Sequence, residues 1–424
     1  MSPSWALVPD DLFTEFLSLL PVKSLLRFKC VSHSWNTLIS DSNFVKIHLR
    51  KSKSHNPHFS IITHHVKHIK GESPYGSDDE SEVDHSIIPY SITSFLDNPS
   101  FTLFADHHYL LEEKDCSRMA GSCNGLICLT GFRWSATATI SHQEYDHWFR
   151  LWNPATRAIS DKFGYFTGLR RFNFNFGCDN STSTFKVVAS RYISDQSTDV
   201  RVLTFGDSVW RNIQSFPVVP LHLDEEVFQD NAVFLNGTLN WLAIHNYTLD
   251  TWFCRLKYLT VEQLVIVSLD LGTETYNMYK LPRGFAELPP AEPTVGVLGD
   301  CLCFSYYAFN QADFIIWQMK TFGDEESWTL FLKISFHDLL LNFDFSDEML
   351  KYHLYIMPLF LSKDGDTLVL HSIGERQAIL YNWRDRRVKK TGVSVHKTVI
   401  EDETHVELLW PFANGFVESL ISIC

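Results

Sequence analysis

The chain lacks the signatures of secreted, membrane-bound and metal-binding proteins. No basic region precedes the first apolar run, and Asp10, Asp11 and Glu15 interrupt it, which argues against a signal peptide and a membrane span. Nine cysteines, an odd number, form no CxxC and no metal-ligand spacing, so they read as reduced thiols of a cytoplasmic or nuclear protein. Cys301 and Cys303 would share one strand face as small hydrophobes, and the sequons at Asn180, Asn236 and Asn246 are expected to be unused. Positive charge is short: 36 Lys/Arg stand against 50 Asp/Glu, a net −14 that disfavours nucleic acid as the main ligand. The deficit is uneven, since residues 1–53 carry seven Lys/Arg against four Asp/Glu (+3) and the remainder 29 against 46 (−17). Enzyme motifs are missing as well, with no GxSxG, phosphate loop or HExxH, so no catalytic residue, metal or cofactor is expected.

Core-forming residues, by contrast, are plentiful. With 45% apolar and 14% aromatic residues among 424, the chain can fill one small and one large domain. Residues 8–49 predict three short amphipathic helices. Pro9 suits a first turn, Asp10 and Asp11 complement the positive end of the dipole, and Leu12, Phe16 and Leu20 form an i, i+4, i+8 stripe beside Phe13 and Leu17. Pro21 stops this helix, Ser24 is placed to cap a second over Leu25, Leu26, Phe28 and Val31, and Ser32 to cap a third carrying Trp35, Leu38 and Ile39. Three helices of about ten residues cannot bury that much apolar surface on one another, so a partner or the rest of the chain must cover it.

Val8-Pro9, Glu15-Phe16-Leu17, Leu20-Pro21-Val22-Lys23-Ser24-Leu25, Arg27 to Ser32, Ser34-Trp35 and Leu38-Ile39-Ser40-Asp41 together resemble the F-box of plant F-box proteins. The resemblance implies docking onto the Skp-family adaptor of an SCF, or cullin-RING, ubiquitin ligase. By position, Pro9, Leu12, Phe16, Leu20, Pro21 and Leu25 would face the adaptor, with Val31 and Trp35 holding the helices together at the border of the contact. Val8, Phe16, His33 and Ser42 depart mildly from the usual residues.

Beyond residue 100 helical periodicity fades into short β-branched and aromatic runs between Gly, Asn and Asp turns, an all-β body. A unit recurs: a Gly turn, an apolar strand, a variable loop, a second apolar strand, a polar turn and a strand often marked by Trp. Its copies open at Asn124-Gly125, Asn236-Gly237, Gly299-Asp300 and Asp364-Gly365, with a fainter one over 184–213. The spacing of about 55 to 65 residues is near the kelch period, and the unit reads as a four-stranded propeller blade, in a ring of five or six. Gly125 and Gly237 serve turns that need positive φ, while Trp152, Trp210, Trp241, Trp317, Trp328 and Trp383 are expected to be packing posts between blades. The Gly-Gly pair of a standard kelch repeat is absent.

Gly121 to Leu126, Leu151 to Arg157, Leu235 to Trp241, Trp317-Gln318-Met319, Glu326-Ser327-Trp328 and Glu418-Ser419-Leu420 resemble the F-box-associated domain of the same plant proteins, the group that includes S-locus F-box receptors. The expected architecture is therefore α+β and multidomain: a three-helix F-box over 1–50, a linker over 51–100 that contributes strands, and an all-β, kelch-like propeller over 101–424. HFSIITHH (58–65) and SIIPYSITSFL (86–96) supply strands for a first blade, and the segment from His405 is expected to pair with them and close the ring.

Smaller motifs have blander explanations. Residues 73–84, SPYGSDDESEVD, read as a solvated acidic loop in which Ser77 and Ser81 fit an acidophilic kinase. His64, His65 and His68 find no nearby Cys or carboxylate to complete a metal set. Asp270, Glu274, Asp313 and Asp366 are expected to be turn and surface charges. The resulting expectation is a non-catalytic adaptor that presents an unidentified client protein to a ubiquitin ligase. A glycan-binding β domain and a propeller hydrolase are the alternatives, and the client and its pathway are not legible.

Overall fold

The structure, a computed structural model, describes residues 10–55, 57–69, 80–104, 109–134, 144–169, 172–194, 197–221, 232–245, 259–308, 311–339, 356–372, 378–396 and 404–423. It opens with four helices rather than three: α1 (Asp10–Leu17), α2 (Val22–Lys29), α3 (His33–Ser40) and α4 (Ser42–His55). The fourth is announced by Asp41, whose carboxylate accepts the backbone N–H groups of Asn43 and Phe44 at 2.9 and 3.2 Å. Ser32 caps α3 through the Trp35 N–H at 3.2 Å. Ser24 caps nothing. The N-cap of α2 is Pro21, whose φ of −59° and ψ of 147° start the helix earlier and leave Ser24 inside its first turn.

Two strands follow, β1 (Pro57–Ile69) and β2 (Glu80–Ser91), then a short α5 (Ile92–Asp97) and β3 (Ser100–Phe104). Residues 80–84, expected in an acidic loop, belong to β2, where Ser81 pairs with His68 of β1; Ser77 lies outside the described residues. The body is a series of antiparallel sheets. Blade one is β4 (Arg118–Cys123), β5 (Leu126–Trp134) and β6 (Glu144–Asn153), with β7 (Ala158–Ile159) and β8 (Phe163–Leu169) sharing its outer edge. Blade two is β9 (Asn173–Asp179), β10 (Thr184–Ser194), β11 (Ser197–Thr204) and β12 (Arg211–Asn212). In blade three β13 (Val219–Pro220) and β14 (Val233–Leu235) both pair with β15 (Thr238–Ile244), followed by β16 (Leu264–Asp270) and β17 (Tyr276–Lys280). Blade four is β18 (Thr294–Leu298), β19 (Cys301–Ala308), β20 (Asp313–Met319) and β21 (Trp328–Ser335). Blade five is β22 (Ile356–Leu361), β23 (Thr367–Ser372), β24 (Ala378–Asn382) and β25 (Arg387–Lys390). β26 (Gly392–His396) pairs in parallel with β3, and β27 (Thr404–Val417) pairs antiparallel with β1.

This last pairing makes the ring. β4 lies against β9, β9 against the β14–β15 hairpin, that hairpin against β18, β18 against β22, β22 against β27, and β27 against β4. The sixth blade, β2-β1-β27, is thus built from both ends of the chain. The inner strands enclose a channel of about 800 Å³. Neighbours among them run in the same direction, as the contacts of Gly177 with Phe234 and Gly237 with Asn180, and of Gly296 with Pro358 and Gly299 with Leu361, require.

Turn chemistry repeats around the ring. Asn124 and Gly125 take φ of 50° and 83°, Asn236 and Gly237 51° and 87°, Gly299 and Asp300 57° and 59°, the conformation a two-residue hairpin demands. Asn153, Asp270 and Asn382 each end the third strand of a blade. The side-chain oxygen of each accepts two backbone N–H groups just beyond, and Arg157, Glu274 and Arg386, four residues on, have φ of 61°, 57° and 52°.

Trp152 is sealed between blade one and the closing sheet, with Ile87, Leu111 and Phe416. Trp241, equally buried, meets Phe216 edge-on at 5.0 Å. Trp210 packs on Phe149 and Phe166 of blade one. Trp317 is half-buried beside Gly284, and Trp328 reaches from blade four to the Lys280 carbonyl of blade three at 3.0 Å. Trp383 is no post between blades: it is exposed and donates to the Gly365 carbonyl at 2.7 Å, tying two turns of blade five.

Two expectations follow. A chain ending before Thr404 exposes the edge of β1 and opens the ring, so its thermal unfolding should lose cooperativity; an unchanged calorimetric transition would contradict closure by β27. Burial pushes His147 and His371 down to about 4, so the fold favours their neutral form. Stability is then complete above about pH 6.5 and falls toward pH 4, by up to about 1.4 kcal/mol per pH unit for each histidine. His147→Phe, in a pocket of Phe132, Tyr145, Phe166 and Phe174, should flatten that slope in melting curves recorded from pH 7 to 5.

Candidate partner-docking surface

The helical segment has a dry face and a wet one. Leu17, Val22, Leu25, Ile39 and Phe44 form its buried core together with Leu420 from the far end of the chain. His48 is buried beside them, its Nε2–H donating to the Leu20 carbonyl at 2.9 Å, and burial lowers its pKa. The Glu418 carboxylate accepts the Val22 N–H at 3.3 Å, supplying at the start of α2 the acceptor that Pro21 cannot. Asn153 donates to the carbonyls of Ser419 and Ile421, both at 3.0 Å. A Cβ on Gly125 would fall 2.4 Å from Ser419 Oγ, so glycine there lets the tail pass directly beneath blade one. The tail from Glu418 to Ile423 therefore lies between helices and ring, and the helices sit at the end of the ring that carries the 124–125, 236–237 and 299–300 turns.

On the opposite face of the helices a set of large apolar side chains meets water. Leu12 is 58% exposed, Phe16 61% and Val31 66%, with Phe13 and Leu19 also exposed. Pro21 is exposed and Leu20 half-buried. Trp35 is half-buried against Phe28, edge-on at 5.0 Å, and Phe13, at 6.3 Å. Lys51 forms an ion pair with Glu15, and Lys23 and Arg27 are exposed on α2. Large apolar side chains exposed together on one face and rimmed by charge are the mark of an interaction surface.

Not every residue expected on that ridge is on it. Leu25 is fully buried, because α2 turns it toward Ile39, Phe44 and Leu420 rather than outward. Val31, expected to hold helices together, projects into solvent past the end of α2. Pro9 lies outside the described residues. The local reading missed Leu420 and Glu418 as members of the helical unit, since nearly 400 residues separate them from Val22 and no local pattern signals the contact.

The four carboxylates singled out in the β body do not converge. Asp270 folds its own turn, Glu274 bridges Lys186 and Arg211 between blades two and three at 2.9 and 2.7 Å, Asp313 pairs with Lys333 at 2.9 Å, and Asp366 with Arg384 at 2.5 Å.

Leu12→Asp and Phe16→Asp should leave the melting temperature of the free chain nearly unchanged, as surface substitutions do, within about 0.5 kcal/mol. Leu25→Ala should cost about 2 to 5 kcal/mol. Chemical denaturation of the three variants separates the two faces.

Residues 5–47 match the family described as F-box domain, and residues 84–423 the family described as F-box associated beta propeller domain. Among curated relatives, the F-box/kelch-repeat protein At3g23880 of Arabidopsis thaliana is 28% identical over 342 residues, covering 77% of this chain and 79% of its own. The F-box protein At1g11270 of the same plant is 24% identical over 75% of this chain and 88% of its own. The F-box protein CPR1, also of Arabidopsis thaliana, is 22% identical over 86% and 79%.

Proposed function

Because this chain belongs to the F-box proteins that carry an F-box associated β-propeller domain, we propose that it is the substrate-recognition subunit of an SCF-type ubiquitin ligase, joined to the complex through a Skp-family adaptor. The observation that carries the reading is the exposed ridge of Leu12, Phe13, Phe16 and Leu19 on a helical unit whose other face is already buried. A second subunit covering these residues removes from water a surface that the chain itself leaves wet.

The client end is the opposite end of the ring. The connections between second and third strands leave from there: Trp134 to Glu144, Ser194 to Ser197, Ile244 to Leu264, Ala308 to Asp313 and Ser372 to Ala378. They range from two residues to nineteen, so one scaffold carries connections of unequal length at this end, and recognition is usually placed on such connections. Ligase and client then occupy opposite ends of one body, and the chain's contribution to transfer is proximity: it holds client lysines near the charged conjugating enzyme without donating an acid, base or nucleophile. The separate pairing of Asp270, Glu274, Asp313 and Asp366 supports a non-catalytic part. Among the described residues of the β body, the exposed aromatics Tyr165 and Trp383 stand on separate blades, one and five, whereas a glycan-binding reading expects aromatics grouped in one platform.

The test is co-purification of the full chain with a plant Skp-family adaptor. Leu12→Asp combined with Phe16→Asp should lower recovery of the complex at least tenfold, because a charge enters an apolar interface, with the circular dichroism and melting of the free chain preserved. Undiminished recovery would overturn the assignment.

A further inference from the structure

Two of the nine cysteines meet where blades one and two join. Gly121 of β4 backs onto Phe176 of β9, with a Cβ at Gly121 falling 3.3 Å from the Phe176 carbonyl oxygen. Two residues further on in each strand, Cys123 and Cys178 bury their thiols in one apolar cluster, close enough that each shifts the other's acidity. Both are nearly buried in the same apolar cluster, yet Cys123 also lines the channel at its helix-bearing end. Asn124 and Lys53 of α4 line the same channel mouth, where the Asn124 amide favours the Cys178 thiolate and Lys53 sets a positive charge near both sulfurs.

The surroundings of Cys178 differ from those of the other buried cysteines. Burial, before other causes, pushes the thiols of Cys116 and Cys303 up to about 12 and that of Cys123 well up too, which keeps them protonated. Cys178 moves the other way, because the protonated Cys123 thiol, then the Asn124 amide, favours its thiolate. A low thiol beside a second, resolving thiol is the arrangement that oxidation selects.

We propose that Cys123 and Cys178 are a redox pair, which hydrogen peroxide entering the channel converts to a disulfide stapling blade one to blade two. The Cys178 thiolate attacks a peroxide oxygen; an S–O bond forms, the O–O bond breaks, and the departing hydroxide takes up a proton as water. The Cys123 sulfur then attacks the sulfenic sulfur of Cys178; the S–S bond forms, the S–O bond breaks, and a second water leaves with the Cys123 proton. Two thiols lose two electrons in all and one peroxide gains them, so no further reactant is required. A dithiol reductant reverses the bond. The staple ties neighbouring inner strands at the end of the ring on which the helices rest, so the oxidised chain opens less readily at that seam.

The experiment uses the full reduced chain, treated with a molar excess of hydrogen peroxide, alkylated, digested without reductant and mapped by mass spectrometry. The expected result is one linked peptide joining Cys123 to Cys178, a fall from nine free thiols to seven, and a melting temperature raised by several degrees that dithiothreitol returns to its starting value. Cys178→Ala should abolish the linked peptide and the rise together. Recovery of Cys123 and Cys178 as separately alkylated thiols would overturn the proposal, as would the same rise in Cys178→Ala. Should that variant fail to fold, the peptide map of the unaltered chain decides the matter.

Discussion

The structure depends on one constraint, that a sheet edge left open to water is unstable and prone to pair with whatever it meets. Five blades in a row present such an edge at each end. The chain resolves this by bringing β27 back to β1, so that the sixth blade is shared between its two ends. Seating of the helices follows from that closure. Only when Val417 has been placed beside Gly125 can Glu418, Ser419 and Leu420 run under blade one, reach the start of α2 and fill the gap among Leu17, Leu25 and Phe44. Closure of the ring and docking of the helical unit are one event at the level of packing.

This coupling gives the apolar ridge its meaning. A helical unit tethered only by a flexible linker could roll and hide Leu12 and Phe16 against the nearest greasy surface. Here the inner face is occupied by the tail and the outer face has nowhere to turn. The distance between the apolar ridge and the far end of the ring is then set by the height of a blade rather than by a linker's random walk, a rigidity that the proposed adaptor role would use.

Much of this was legible in the sequence because it is local. Positive-φ pairs at Asn124-Gly125 and Asn236-Gly237 need only neighbouring residues, and so does the Ser32 cap of α3. Trp152 and Trp241 announced themselves by size, since large aromatics in β-rich segments are usually buried. Illegible features were those decided at a distance or by competition between signals. Leu25 looked like a ridge residue until Leu420 claimed it; Ser24 looked like a cap until Pro21 began the helix sooner; Trp383 looked like a post, yet its turn carries it to the surface. The acidic charges of 80–84 suggested a loop, but pairing with β1 overrides local composition at an edge strand.

The shared sixth blade also imposes an order of events on biosynthesis. β1 emerges from the ribosome early, and its partner β27 begins more than 330 residues later, a wait of roughly 20 to 70 seconds at ordinary elongation rates. Throughout that interval the nascent polypeptide carries an unpaired edge and a helical unit lacking its plug, both attractive to chaperones. Until Glu418 and Leu420 have been made, neither the ring nor the seat of the helices can be complete.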